Sequence, residues 1–217
     1  MQGEKMLVVK RLPLGPIGAN CYILCDEKSG EGAVIDVGGF EKRLLDEISG
    51  AGIKNLKYIL CTHGHFDHIS GIPELKKHFP SAEILIDKDD KDLLFDGEKN
   101  LADYFGAVSP HFKADGLLFE NEELFIGETK LRVMKTPGHS KGSVCFICDK
   151  EKIVFSGDTL FKFTVGRTDL WGGSLEELSK SLEKIMTLPD DYKVYTGHNI
   201  PTTVGDERTG NRFFRKR

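Results

Sequence analysis

No stretch of this chain approaches the roughly 18 uninterrupted apolar residues of a membrane-spanning helix, so a helical membrane protein is not expected. The opening MQGEKMLVVK holds no apolar segment followed by small residues, the mark of a secretory leader. A cytoplasmic protein is the expectation. Cysteine is sparse and poorly spaced for a disulfide framework. The thiols at positions 21, 25, 61, 145 and 148 are odd in number and suit a reducing compartment. Positive charge is not in excess either. A formal net charge of −4 argues against a surface made for nucleic acid, because phosphate binding needs a concentrated basic field. Linkers rich in proline or serine, internal repeats and low-complexity tracts are missing too, so one domain over residues 1–217 is expected.

What is present is ordinary globular material. Apolar residues make up 39% and charged residues 29%, enough for a large core and too apolar for a disordered chain. Two local features invite special readings. Cys145 and Cys148 have the gap of a zinc or redox pair, but they lie in a strand-like run, where positions three apart point to opposite faces. Buried apolar cysteine is the better reading. The basic run over residues 212–217 reads as a solvated tail with two anchoring aromatics, Phe213 and Phe214, rather than a nucleic-acid patch.

Apolar runs at 7–12, 21–25 and 33–37 predict three strands divided by glycine and charged turns. A helix over 40–48 follows, then a buried strand over 56–62 and a helix over 72–79 ended by Pro80. A strand at 82–86 leads to a polar helix candidate at 88–95, and 97–116 reads as a long irregular segment of the kind that forms lids or binding surfaces. The second half predicts a hairpin, 123–125 with 130–135, turning at Gly127, and strands at 143–147 and 152–155. Next come a helix over 174–188 with Ser174 as N-cap and Glu177 completing a capping box, a strand at 193–195, and an irregular or helical tail. Strands dominate both halves and helices are interspersed singly. Two mixed sheets packed face to face with helices outside, an α+β fold of αββα layering, would bury this pattern.

The chemistry is concentrated in Thr62-His63-Gly64-His65-Phe66-Asp67-His68. On a helix His63 and His65 would sit on nearly opposite sides, so this spacing serves one site only where the chain is extended and turning. The run leaves a buried strand and enters a loop, where a rigid scaffold can offer ligands to a cleft. Imidazole with carboxylate suits zinc, iron or manganese, and the lack of thiolates favours an open catalytic site over a closed structural one. His139, Asp158 and His198 each follow a glycine at the end of a strand-like run. Alone, each reads as a hydrogen-bonded structural residue; together, four strand ends finishing in ligand-type side chains point to one centre. His78 and His111 lie outside these motifs and read as surface residues.

The set His63-x-His65-x-Asp67-His68, His139, Asp158 and His198 resembles the metal signature of the metallo-β-lactamase superfamily. Asn20-Cys21-Tyr22, the segment from Ser156 to Phe161 and Gly166-Arg167-Thr168-Asp169 resemble its short glyoxalase II-like branch. The resemblance implies the αββα sandwich and two divalent metal ions, zinc first, with iron or manganese as alternatives. It implies that His63, His65 and His139 hold one ion, Asp67, His68 and His198 the other, and that Asp158 bridges them, with Asp36 supporting rather than ligating. A metal-bound hydroxide would then cleave a small-molecule thioester or related ester, Asp67 orienting the nucleophile and taking its proton, and Arg167 contacting substrate. The chain departs from glyoxalase II in having few residues beyond His198 and Ile200 where that family has a glutathione-contacting tyrosine, so another acyl carrier fits as well as glutathione. A β-lactamase is disfavoured, since that branch does not typically carry Asp158. The alternative is an enzyme resembling persulfide dioxygenases, with a single iron held by His63, His139 and Asp158.

Overall fold

The computed structural model describes residues 7–214. Strand β1 (Leu7–Leu14) pairs antiparallel with β2 (Ala19–Asp26), and β2 with β3 (Glu31–Ile35). After helix α1 (Lys42–Gly50) the chain returns as β4 (Asn55–Leu60), parallel to β3. A four-residue turn of helix, α2 (Phe66–Ile69), and α3 (Ile72–His78) lead to β5 (Glu83–Asp87), again parallel, and β6 (Gly116–Leu118) completes a sheet in the order β1-β2-β3-β4-β5-β6.

The second sheet starts with the hairpin β7 (Glu123–Ile126) and β8 (Thr129–Lys135), then β9 (Val144–Cys148) and β10 (Ile153–Gly157), all antiparallel. A small separate hairpin follows, β11 (Leu160–Phe161) with β12 (Thr164–Val165). Helix α4 (Leu175–Ile185) crosses to β13 (Lys193–Thr196), which lies parallel to β10. The edge strand β14 (Thr202–Thr203) and helix α5 (Val204–Gly210) follow, and the sheet order is β14-β13-β10-β9-β8-β7. Both sheets are mixed, as expected.

Period-two alternation divides each strand between two cores. Tyr22 and Leu24 of β2, with Ile35 and Leu60, face Val133, Phe146 and Phe155 of the other sheet, forming the layer between the sheets. Cys21, Ile23 and Cys25 point the other way, under Leu44 and Ile48 of α1 and Ile72 and Leu75 of α3. On the second sheet Cys145 and Ile147 pack beneath Leu178, Leu182 and Ile185 of α4. The result is the αββα sandwich. Cys145 and Cys148 fall in different clusters, as the strand reading requires. Among the described residues all five cysteines are free and buried, and burial pushes the Cys145 thiol up to about 12. No helix among them is long and apolar enough to cross a membrane. Of the two expected anchoring aromatics only Phe214 packs against the outer core of the second sheet, Phe213 being exposed, and the last three residues of the basic tail lie outside the described residues.

Two local expectations need correction. Residues 88–95 do not form a helix; only a short 3-10 turn at Lys91–Leu94 appears. The Asp89 amide donates to Asp87 Oδ1 at 3.0 Å, a local turn that competes with helical bonding, and Asp90 is turned inward. Second, the irregular segment ends in a strand, β6, whose three residues are too few to show a period. The tail takes the helical form of the two expected, as α5, capped by Thr203, whose side chain accepts from the Asp206 amide.

Candidate metal centre

The strands β3, β4, β8, β10 and β13 all run in one direction and end at one edge of the sandwich. Asp36 follows β3, His63 follows β4, His139 follows β8, Asp158 follows β10 and His198 follows β13. The edges of the two sheets are stitched together here. The Val144 amide donates to the Thr62 carbonyl at 2.8 Å and the Asn20 amide to the Gly197 carbonyl at 2.7 Å. Asn20 Nδ2 reaches the Thr196 and Asn199 carbonyls at 2.8 and 3.0 Å, and the Tyr22 hydroxyl donates to the Thr196 carbonyl at 2.7 Å. The Asn20-Cys21-Tyr22 motif thus ties down the loop that carries His198.

His63 lies in a bend after β4 and His65 in extended backbone, while Asp67 and His68 sit on α2, for which His65 is the N-cap. The motif is therefore part extended and part helical, which lets six residues face two ways. One group gathers His63, His65 and His139, another Asp67, His68 and His198, with the ligand-type atoms of each group within 4.8 Å of one another. His65 Nδ1 lies 2.9 Å from His139 Nε2, and His68 Nε2 lies 3.2 Å from His198 Nε2. Asp158 stands between the groups: its Oδ1 is 3.4 Å from His68 Nε2, and its Oδ2 is 3.6 Å from His139 Nε2 and 3.5 Å from His198 Nε2. All seven residues singled out from the sequence converge on one place.

Three of the imidazoles are held from behind through Nδ1. His63 Nδ1 meets Thr62 Oγ1 at 3.0 Å, His68 Nδ1 meets Asp36 Oδ2 at 2.9 Å, and His139 Nδ1 meets the Arg167 carbonyl at 2.8 Å. Such partners set the tautomer and leave the opposite nitrogen free to act as a ligand. His63, Asp36 and His68 also form a compact group, but Asp36 is spent on the Thr62 amide at 2.8 Å, the Thr62 hydroxyl at 2.7 Å and His68. Its backbone is left-handed, φ 57°, a conformation that aspartate tolerates better than most residues.

Electrostatics follow from packing five imidazoles and two carboxylates into a largely buried site. Burial, then repulsion from neighbouring imidazoles, lowers the pKa of His63 and His65 well below the ordinary histidine value. For His68 burial acts in the same direction, but Asp158, Asp67 and Asp36 outweigh it and raise it to about 10. Burial alone would raise the Asp67 carboxyl; attraction from His68 and His198 reverses this and holds it well below the usual carboxylate range.

Three buried atoms of this cluster, His63 Nε2, His65 Nε2 and Asp158 Oδ1, have no hydrogen-bond partner among the described residues. Each such atom costs roughly 1–3 kcal/mol when left unsatisfied. Lone pairs on two converging imidazole nitrogens and a carboxylate oxygen are what a borderline cation takes up. The donor set fits a divalent metal.

A model of the metallo-beta-lactamase superfamily matches residues 14–198. This chain belongs to that superfamily. It is 33% identical over 208 residues to hydroxyacylglutathione hydrolase GloC of Haemophilus influenzae, covering 94% of this chain and 97% of that protein. Among solved structures it is similar to BLEG-1 B3 metallo-beta-lactamase, with TM-score 0.90 and 35% identity, covering 96% of this chain and all of that one. TTHA1623, solved in a di-iron-bound form, aligns with TM-score 0.83 and 32% identity over 94% of this chain and 100% of that one.

Within this superfamily member, Asp90 was not legible as a site residue. It is fully buried and accepts from the Gly64 amide at 2.9 Å, the Gly142 amide at 2.7 Å and the Ser140 hydroxyl at 2.6 Å. The only hint was a polar run after a strand. Arg167 is visible but exposed; its guanidinium makes a two-pronged pair with Asp169, at 2.7 Å for each bond. His78 and His111 are exposed, as expected, and His78 stacks on Phe40.

Proposed function

We propose that this superfamily member is a dinuclear hydrolase that cleaves a thioester or related ester. In this reading His63, His65 and His139 hold one divalent cation, Asp67, His68 and His198 hold the other, and Asp158 lies between. The observation that carries it is the paired geometry: two compact ligand groups meet at one carboxylate, and three buried polar atoms face inward without a protein partner. Two such cations supply Lewis acidity and lower the pKa of bound water from near 16 toward about 7, giving hydroxide at neutral pH.

The chain's own residues do the rest. Asp67, with its side chain 13% exposed, is the catalytic residue: its ionised carboxylate accepts a hydrogen bond from the attacking water, aims it at the substrate carbonyl and relays its proton. His198, the most exposed of the seven at 20%, marks the open side from which substrate enters. Arg167, next to the loop that holds His139, offers a cation to an anionic acyl carrier. No serine or thiol nucleophile is required, and the buried cysteines are unsuited to the role.

The similarity to GloC supports a glutathione thioester among the substrates, and the similarity to BLEG-1 adds a β-lactam to those worth testing. Zinc is the first choice of metal, and the di-iron form of TTHA1623 keeps iron beside manganese as alternatives. A dioxygenase with one iron on His63, His139 and Asp158 would leave the convergence of Asp67, His68 and His198 without purpose, which favours the hydrolase. The test is metal analysis together with turnover of a panel: glutathione and coenzyme thioesters, simple esters, a β-lactam, and glutathione persulfide with oxygen uptake. Two metals per chain with thioester cleavage is expected. One iron with oxygen uptake would overturn the proposal.

A further inference from the structure

Two buried carboxylates stand behind the candidate metal centre, and they do different work. Asp36 touches His68 directly and reaches His63 through the Thr62 hydroxyl. Asp90 touches no candidate ligand. Its Oδ2 takes the Gly64 amide and the Ser140 hydroxyl, and its Oδ1 takes the Gly142 amide. Gly64 lies between His63 and His65, and Ser140 follows His139. The two chain segments joined by this one side chain are therefore the two that carry the all-histidine group.

The joint is tight on every side. Ser143 Oγ accepts from the Ser140 amide at 3.1 Å and lies 2.8 Å from Ser140 Oγ, so the hydroxyl that donates to Asp90 is itself held. A Cβ at Gly142 would come within 2.6 Å of the Asp90 amide nitrogen, and one at Gly64 within 2.5 Å of Leu93 Cβ and 3.1 Å of the Asp90 carbonyl oxygen. With three donors on two oxygens, the carboxylate has little freedom to turn without losing a bond. Among the described residues, the Asp90 carboxylate makes no hydrogen bond to Asp67, His68 or His198 themselves.

We infer that Asp90 is a positioning residue for one half of the centre: by clamping Gly64 to Ser140 and Gly142 it sets the spacing of His63, His65 and His139, and so the affinity of that cation site alone. The inference rests on the two-cation reading above. An amide in place of the carboxylate has one acceptor oxygen and one donor nitrogen, so it cannot receive all three donors. Partners that orient metal ligands from behind typically change metal affinity by on the order of 10- to 100-fold when removed.

The experiment titrates metal-free full-length chain with zinc alone under a competing chelator, so that each site is read as an affinity. Asp90→Asn should weaken one of two sites by on the order of 10- to 100-fold and leave the other unchanged. On a His198→Ala background, which keeps the all-histidine group, Asp90→Asn should lower the remaining affinity; on a His139→Ala background it should not. Ser140→Ala deletes a single donor and should weaken the same site to a smaller degree, which keeps the test decisive if Asp90→Asn fails to fold. Equal weakening of both sites, or no change in either, would overturn the assignment. Failure of the two-cation reading shows separately, in a wild-type chain that takes up fewer than two zinc ions.

Discussion

Asp36 Oδ2 sits 2.9 Å from His68 Nδ1, and the same carboxylate takes both donors of Thr62. One buried acid thereby turns the other nitrogen of His68 toward Asp158 and His198, 3.4 and 3.2 Å away. Asp36→Ala should lower affinity at the Asp67/His68/His198 group by on the order of 10- to 100-fold. It should also destabilise the metal-free chain by about 3 kcal/mol, since removing one partner of a buried pair exposes the other to an unmatched environment. Zinc titration and chemical denaturation read the two effects. Unchanged zinc affinity would mean that His68 holds its orientation without Asp36.

The raised pKa of His68 has a sign that can be measured in the metal-free protein. Its folded value of about 10 lies above the value of about 6.5 expected in the unfolded chain. The charged form is therefore favoured by folding, its contribution is fully present below pH ~6.5, and it is lost as pH rises through about 10. Metal-free protein should show a falling melting temperature across this window. Metal uptake near pH 7 should release a proton from His68, since a ligand imidazole must be neutral, while His63 and His65, with lowered pKa values, have none to release. Calorimetric titration with zinc in two buffers of different ionisation enthalpy counts the protons. A flat melting profile in chelator from pH 6.5 to 10 would contradict the charge assigned to His68.

Gly197 is the glycine on which Asp158 most directly depends. A Cβ there would lie 2.1 Å from Asp158 Oδ1 and 2.9 Å from the Gly157 carbonyl carbon, closer than any real contact. Gly197→Ala should push the Asp158 carboxylate out of line between the two ligand groups. Metal content should drop, and thioester turnover should fall by roughly 100-fold or more, in line with a misplacement near 1 Å. A variant with full metal and full turnover would show that Asp158 is not needed where it stands.

What could be read from the chain before the fold was known divides along physical lines. The run from His63 to His68 is contiguous, and its chemistry shows in the spacing. His139, Asp158 and His198 are distant in sequence, yet each follows a glycine at a strand end, and periodicity revealed the strands. Asp90 was hidden because its role lies in backbone amides at Gly64 and Gly142, which carry no side-chain signature. The same holds for Asn20 and Tyr22: the motif stood out, but its purpose, tying the Thr196–Asn199 carbonyls, exists only once two sheets meet. Strand β6 was missed because three residues with Leu117 exposed show no alternation to count.

Arg167 has two parts beside the site, a carbonyl that holds His139 and a guanidinium proposed to meet substrate, and a substitution separates them. Its carbonyl holds His139 Nδ1 at 2.8 Å and survives any side-chain change. Its guanidinium is 58% exposed and paired with Asp169, a solvent-facing bond worth little to stability. Arg167→Ala should therefore keep metal content and folding intact. If the guanidinium meets an anionic acyl carrier, KM for that substrate should rise about 10-fold, the worth of one charge-assisted hydrogen bond, with kcat little changed and an uncharged thioester unaffected. Asp169→Ala should act in the opposite direction, because it removes the carboxylate that competes for the same cation. Steady-state kinetics on one charged and one neutral thioester, with metal analysis of each variant, decide the matter. Equal KM values in wild type and both variants would leave the side chain as no more than a partner for Asp169.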